Sequence, residues 1–408
     1  MVLGHVWRVW LPGFWLVSLG ISRAAGAYNP RPAYYQRRGS WMRYRLLGPS
    51  GLKVSNLCLG AMTFGEEWGW GSSKAESRRV FDGFADAGGN FIDTAGSYTN
   101  GTSELYLGEF VRGQRDRFVV ATKYSASTDP SNPNAAGNSR KNLRDSVDAS
   151  LNRLGTDYID LLWLHVWDFL TPVEEVMRSL DDLVASGKVL YVGISNAPAW
   201  VVSRCQMLAE LRGWSPFVGV QVLYSLTQRD VEREYLPLSD ELDLAVCCWS
   251  PLDQGVLSGK YTREGEASGL REQMHGRRFN DHQLAVATAV DAAADACGHS
   301  SAQVALAWLL QRSSRAVPVV GARTPEQLED NLAASEIVLP DSVFEELERT
   351  SRTSVGWPHY FFGSVSQRGF TYGEVLSQLD THRAVPFRDT HPSPPDDDPF
   401  GLGWESSD

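Results

Sequence analysis

The segment Tyr158-Ile159-Asp160-Leu161-Leu162-Trp163-Leu164-His165 decides the fold class. It has strand length, is mostly apolar without alternation, and ends on a histidine. Such runs belong to strands covered on both faces, as in parallel sheets. Seven more flank it, at 56–60, 90–95, 118–123, 190–196, 218–225, 244–251 and 316–322. Helical patterns lie between runs, at 74–87, 139–154, 171–186, 301–311 and 324–334. The second opens on Ser139, a good N-cap, and aligns Leu143, Val147, Leu151 and Leu154 on one face. Thr324 before Pro325 is another helix start.

Eight strand–helix alternations over this length predict an α/β protein built as a (β/α)8 TIM barrel. A doubly wound sheet is the alternative, but the turn from Gly60 to Gly65 lacks its glycine fingerprint. Upstream, 44–47 and 52–54 flank Gly48-Pro49-Ser50-Gly51, a β-hairpin signal. Such a hairpin would close the bottom of the barrel.

The 408 residues are 43% hydrophobic and 21% charged, enough for a large core. The net charge of −11, without a basic block, argues against nucleic-acid binding. Five scattered cysteines form no CxxC pair, so no zinc framework, other metal site or disulfide scaffold is expected. A reducing, cytoplasmic location fits best. Residues 1–41 carry five arginines and no acid. They read as an extension foreign to the barrel, either an overextended start or a signal-like segment too short to span a membrane. The barrel domain is expected over 42–372. The remainder, 373–408, reads as a tail that is acidic, proline-rich and disordered from about residue 389.

A barrel carries its chemistry at the C-terminal ends of its strands. Three successive runs end in Asp93, with Tyr98 shortly after it, in Lys123 and in His165. Singly, each has a bland reading as a cap, a rim aromatic or a strand-end charge. Together they make a proton donor beside a polarised carbonyl. Tyrosine, with a reference pKa of about 10, is a poor acid, and a nearby ammonium lowers that value. A buried Lys123 needs a counter-ion, which Asp93 provides, and His165 can orient a carbonyl oxygen. No side chain supplies a hydride, so a cofactor is required.

These segments resemble the aldo-keto reductase family. The resemblance rests on Phe91-Ile92-Asp93-Thr94-Ala95 with Tyr98, Val120-Ala121-Thr122-Lys123, the 157–165 segment, Gly193-Ile194-Ser195-Asn196, Trp249-Ser250-Pro251-Leu252, and 317–323 with Gln327 and Asn331. It implies NADPH/NADP+ as cofactor, a small-molecule carbonyl substrate, and a catalytic tetrad of Asp93, Tyr98, Lys123 and His165. By the same resemblance Ser195, Asn196 and Gln221 would hold the nicotinamide carboxamide, and Trp249 would stack on the ring. Ser250, Leu252, Ser258 and Lys260 would follow the pyrophosphate. Gly321, Arg323, Gln327, Asp330 and Asn331 would surround the 2′-phosphate, where a guanidinium fits well. Trp68, Trp167 and Trp357 are candidates for the substrate wall.

Three departures stand out. Gly96 replaces a larger polar residue and would loosen Tyr98. His165-Val166-Trp167-Asp168 replaces the commoner His-x-Pro-Asp turn. Asp330 stands where glutamate is usual. Two rival readings share the fold: an NADPH-binding regulatory relative without turnover, and a redox-neutral sugar-type conversion. Nothing in the sequence sets an oligomeric state.

Overall fold

The computed structural model describes residues 42–263, 279–363, 371 and 373–378. The 1–41 extension and the acidic stretch from 389 lie outside the described residues. Eight parallel strands close a barrel in the order β10-β3-β4-β5-β6-β7-β8-β9. They are β3 (Cys58–Gly60), β4 (Phe91–Asp93), β5 (Val119–Tyr124), β6 (Ile159–Leu164), β7 (Val189–Ser195), β8 (Phe217–Leu223), β9 (Ala245–Trp249) and β10 (Ala316–Val320). All eight expected runs are strands. Several runs overshoot, because Asn196, Ser225, Pro251 and Ala322 already begin the loops above the barrel.

Alternation within each strand sorts the core into two clusters. Phe91, Val119, Ala121, Leu161, Trp163, Cys247 and Val317 share one with Leu47 and Val54 from the hairpin. Their neighbours Ile92, Val120, Leu162 and Val246 join the larger cluster formed with the helices. The first cluster is the barrel interior. Asp93 and Lys123 lie two residues beyond Phe91 and Ala121, so the period of two turns them inward at the rim.

The five helical patterns form α1 (Lys74–Asp86), α3 (Arg140–Leu154), α4 (Val173–Ala185), α8 (Ser301–Arg312) and α9 (Pro325–Ala333). Ser139 and Thr324 act as caps, accepting from the amides of Asn142 and Gln327. The structure adds α2 (Thr102–Phe110), α5 (Ala199–Arg212), α6 (Val231–Glu241), α7 (Asp281–Cys297), α10 (Asp341–Thr350) and the short α11 (His359–Gly363). Three of these, α2, α5 and α6, carry weak sequence signals for identifiable reasons. Helix α2 has no side-chain cap, α6 contains Pro237, and α5 exposes Trp200, Met207 and Leu211 opposite its buried face. Among the described residues no helix is long and apolar enough to cross a membrane.

The antiparallel hairpin of β1 (Tyr44–Leu46) and β2 (Lys53–Ser55) closes the bottom, as expected. It inserts Leu47 and Val54, both fully buried. Arg45 donates from Nη1 to the carbonyls of Ser314 and Ala316, and burial lowers its guanidinium pKa to about 10. Gly48 makes the closure possible. Its φ is +55°, and a Cβ there would lie 2.0 Å from the Val218 carbonyl oxygen. Gly48→Ala should therefore cost roughly 2 kcal/mol or more, from left-handed strain plus overlap. Gly51→Ala, with open space around it, should stay close to wild type. Urea midpoints of the two variants check this, and equal midpoints would refute the plug.

Candidate active site

Four of the predicted residues converge at the barrel rim. Lys123 donates from Nζ to Asp93 Oδ2 and, at 2.7 Å, to the carbonyl of Thr94. Both side chains are nearly inaccessible. The Tyr98 ring centroid lies 4.6 Å from Lys123 Nζ. The His165 ring stands 6.1 Å from the Tyr98 ring at 83°. Trp68 meets Tyr98 edge-on at 6.3 Å and tilts against Trp70 at 5.5 Å. Gln221 donates from Nε2 to Asp93 Oδ1 at 3.0 Å, so both carboxylate oxygens are engaged. That bond ties the expected carboxamide site directly to the Asp93 carboxylate.

Burial dominates the electrostatics. It pushes the Tyr98 phenol above its ordinary value, and the Lys123 ammonium opposes this only in part. The sequence argument had the ammonium lowering that pKa, but in the folded protein desolvation outweighs it. Burial alone would lower Lys123, yet Asp93 and Tyr98 together hold it above its usual value. His165 is depressed to about 3 by burial, with a smaller contribution from Lys123. Its imidazole is therefore neutral at physiological pH, and its buried Nδ1 has no hydrogen-bond partner among the described residues.

A belt of polar groups adjoins the tetrad. Ser195 Oγ donates to the Gln221 carbonyl at 2.8 Å, and Asn196 Nδ2 donates to Ser195 Oγ and to the His165 carbonyl. Trp249 ends β9, and its buried indole N–H has no partner among the described residues. Beyond it the chain winds through left-handed residues Ser250, Asp253, Gln254, Gly255 and Gly259. Such winding turns backbone N–H groups into anion-binding concavities. The Ser250 and Ser258 hydroxyls bond within this turn, Leu252 packs on the core, and Lys260 folds over Gly255. At the far end Gln327 accepts from the Arg323 amide at 2.9 Å, and Asn331 donates to the Gly321 carbonyl. Neither Lys260 nor Arg323 forms an ion pair among the described residues, unlike Arg263 nearby, which is held by Asp291 and Asp295. Lys260 over a turn rich in N–H donors, with Arg323 at the far end, fits a phosphorylated dinucleotide.

One braced loop joins the two ends of this surface. Residues 61–72 follow β3, and Thr63 and Ser72 donate to the carbonyls of Ala322 and Arg323. Thr99 donates back to the Phe64 carbonyl at 2.7 Å, and Thr102 to Glu67. Trp68 rides on that loop.

Other predicted residues are placed differently. Asp330 accepts from Ser300 Oγ and Gln303 Nε2, so its carboxylate anchors the start of α8 rather than lying free for a phosphate. Trp167 is buried in the outer core, 5% exposed, and does not form an open wall. Trp357 is 76% exposed. The sequence reading missed the buried Glu104 and its partners Thr122 and Arg153. The signal available was a glutamate one turn before Leu107 on the buried face of α2, a helix that the reading had not identified. No cluster of metal-ligating side chains occurs among the described residues.

The neutral His165 has a thermodynamic signature. Unfolded chains take up the proton near pH 6.5, the folded protein only near 3. Stability should therefore fall as pH drops through that window and be fully present above it. In His165→Asn the melting temperature should fall less steeply from pH 7 to about pH 4 than in wild type. Parallel slopes would show that His165 is not buried as a neutral base.

Comparison with known proteins fits this geometry. The sequence pattern of the Aldo/keto reductase family matches residues 56–352. The chain is 43% identical over 337 residues to norsolorinic acid reductase stcV of Emericella nidulans, covering 80% of this chain and 86% of that protein. It is 39% identical over 345 residues to an aryl-alcohol dehydrogenase [NADP(+)] of Phanerodontia chrysosporium, covering 79% and 90%. A norsolorinic acid reductase B of Aspergillus parasiticus is 40% identical over 343 residues, covering 80% and 89%. With its closed parallel barrel and a family match over most of the chain, the protein belongs to the aldo/keto reductase family of oxidoreductases.

Proposed function

We propose that the protein is an NADPH-dependent reductase of aromatic aldehydes or ketones, with Tyr98 as proton donor. The observation that carries this reading is a buried, protonated phenol beside both Lys123 and a neutral His165 at the barrel mouth. A nicotinamide cofactor, when bound, supplies the hydride that goes to the carbonyl carbon. His165 holds the carbonyl oxygen and, being neutral, does not compete as an acid. Tyr98 gives its proton to that oxygen as negative charge develops there, so C=O becomes CH–OH. Lys123 stabilises the tyrosinate left behind, and Asp93 keeps Lys123 charged and in place. Ser195, Asn196 and Gln221 would hold the carboxamide, Trp249 the ring face, Ser250, Leu252, Ser258 and Lys260 the pyrophosphate. Gly321, Arg323, Gln327 and Asn331 would enclose the 2′-phosphate.

The aromatic substrate class has two supports. Trp68 stands edge-on to Tyr98 and Trp70 tilts against Trp68, which suits a planar ring. A relative named aryl-alcohol dehydrogenase [NADP(+)] aligns with 79% of the chain. Five unpaired thiols suit the cytoplasm, and the net charge of −11 suits small molecules better than nucleic acid.

The test is oxidation of NADPH with p-nitrobenzaldehyde. Tyr98→Phe should lose roughly 1,000-fold in kcat and keep its NADPH affinity. Arg323→Ala should raise the KM for NADPH roughly tenfold with little change for NADH. Undiminished turnover in Tyr98→Phe would remove the assigned acid. Binding of NADPH with no turnover across an aldehyde panel would favour the regulatory reading. Conversion of a sugar substrate without net loss of NADPH would favour the redox-neutral one.

A further inference from the structure

The backbone that carries Tyr98 is unusual. After Tyr98 come three consecutive residues in the left-handed region, Thr99 at φ 46°, Asn100 at 54° and Gly101 at 94°. Non-glycine residues occupy that region at a cost and hold it only where the surroundings impose it. Thr99 is fixed from one side by its bond to Phe64. The other side is held by a buried carboxylate and an arginine.

Glu104 is fully buried in the first turn of α2. Its Oε1 accepts from Thr122 Oγ1 at 2.5 Å, and its Oε2 accepts from Arg153 Nε at 2.6 Å. Thr122 directly precedes Lys123 on β5. Arg153, in the last turn of α3, also reaches Ser150 Oγ at 3.4 Å. Its side chain lies against both ends of the Tyr98 segment. A Cβ on Gly96 would come within 2.9 Å of Arg153 Nη2, and one on Gly101 within 2.9 Å of its Cδ. The guanidinium thus fills the space that a side chain at 96 would occupy. The same carboxylate bonds the residue next to Lys123, so one ion pair spans the two halves of the tetrad without touching either reacting group.

We propose that Arg153 is a positioning residue for Tyr98, and that Gly96 is the vacancy that admits it. Glu104 holds the guanidinium against Gly96 and Gly101 while Thr122 registers the pair to the Lys123 strand. The glycine that should loosen the tyrosine is instead where an arginine clamps it. This inference rests on the reductase reading for its kinetic consequence, but not for its structural one.

The experiment uses the full chain in five forms: wild type, Arg153→Met, Arg153→Lys, Gly96→Ser and the Gly96→Ser/Arg153→Met double variant. Arg153→Met should lower kcat roughly tenfold or more, since small misplacements of reacting groups carry penalties of that order, while the Kd for NADPH stays within about twofold of wild type. Arg153→Lys keeps a cation for Glu104 and should recover most of the rate. Gly96→Ser should displace the guanidinium and lower kcat similarly. The double variant should be no worse than either single one, because both break the same clamp.

Hydrogen exchange gives a readout that needs no turnover. In Arg153→Met the amides of 97–102 should exchange faster, with those of β4 and β5 unchanged. Uniform acceleration across the barrel would make Arg153 an ordinary stability residue and overturn the proposal. So would unchanged exchange at 97–102, or strictly additive losses in the double variant. If wild type reduces no carbonyl, the reductase reading fails, yet the exchange result still decides whether Arg153 holds the Tyr98 segment.

Discussion

The buried contact between Lys123 and Asp93 is the constraint on which the rest of the site depends. Taking both charges out of water costs several kcal/mol per ion, and their attraction offsets this only when the remaining hydrogen-bonding groups are satisfied. The barrel meets that condition. Lys123 gains the Thr94 carbonyl, and Asp93 gains the Gln221 amide from the opposite side of the mouth. Removing either partner would leave an uncompensated charge in a dry place. The pair therefore fixes the relative height of β4, β5 and β8, and the Tyr98 ring is seated against a cation that cannot drift.

Barrel closure supplies the precision. Residues two apart on a strand face the same way, so Phe91 and Asp93, or Ala121 and Lys123, are core and chemistry on one continuous surface. Interior packing below thus sets the position of the charges above. The hairpin plug belongs to the same column, since Leu47 and Val54 pack beneath those strands.

The fold was legible because its signal is strong and repeated. Eight apolar runs ending in polar residues leave few architectures, and the convergence of Asp93, Lys123 and His165 with Tyr98 from the next loop could be read from those ends. The phenol's shift was not legible, because the balance between burial and a cation is decided by depth and not by residue type. Asp330 and Trp167 misled for a similar reason. Each has a plausible role by position, yet Asp330 meets the hydroxyl of Ser300 and Trp167 meets the outer core. Glu104 and Arg153 are 49 residues apart in sequence and meet only through the packing of α2 on α3.

The loop of 61–72 has a consequence of its own. Through Thr63 and Ser72 it is hydrogen-bonded to the carbonyls of Ala322 and Arg323, and through the Phe64 carbonyl to the hydroxyl of Thr99, the residue after Tyr98. A segment tied to both places holds the span between the proposed phosphate grip and the proposed acid. Whatever lies between must match that length. A dinucleotide carried too high or too low would meet the phenol out of reach, so under the proposed reading the loop would gauge the cofactor before any carbonyl arrives.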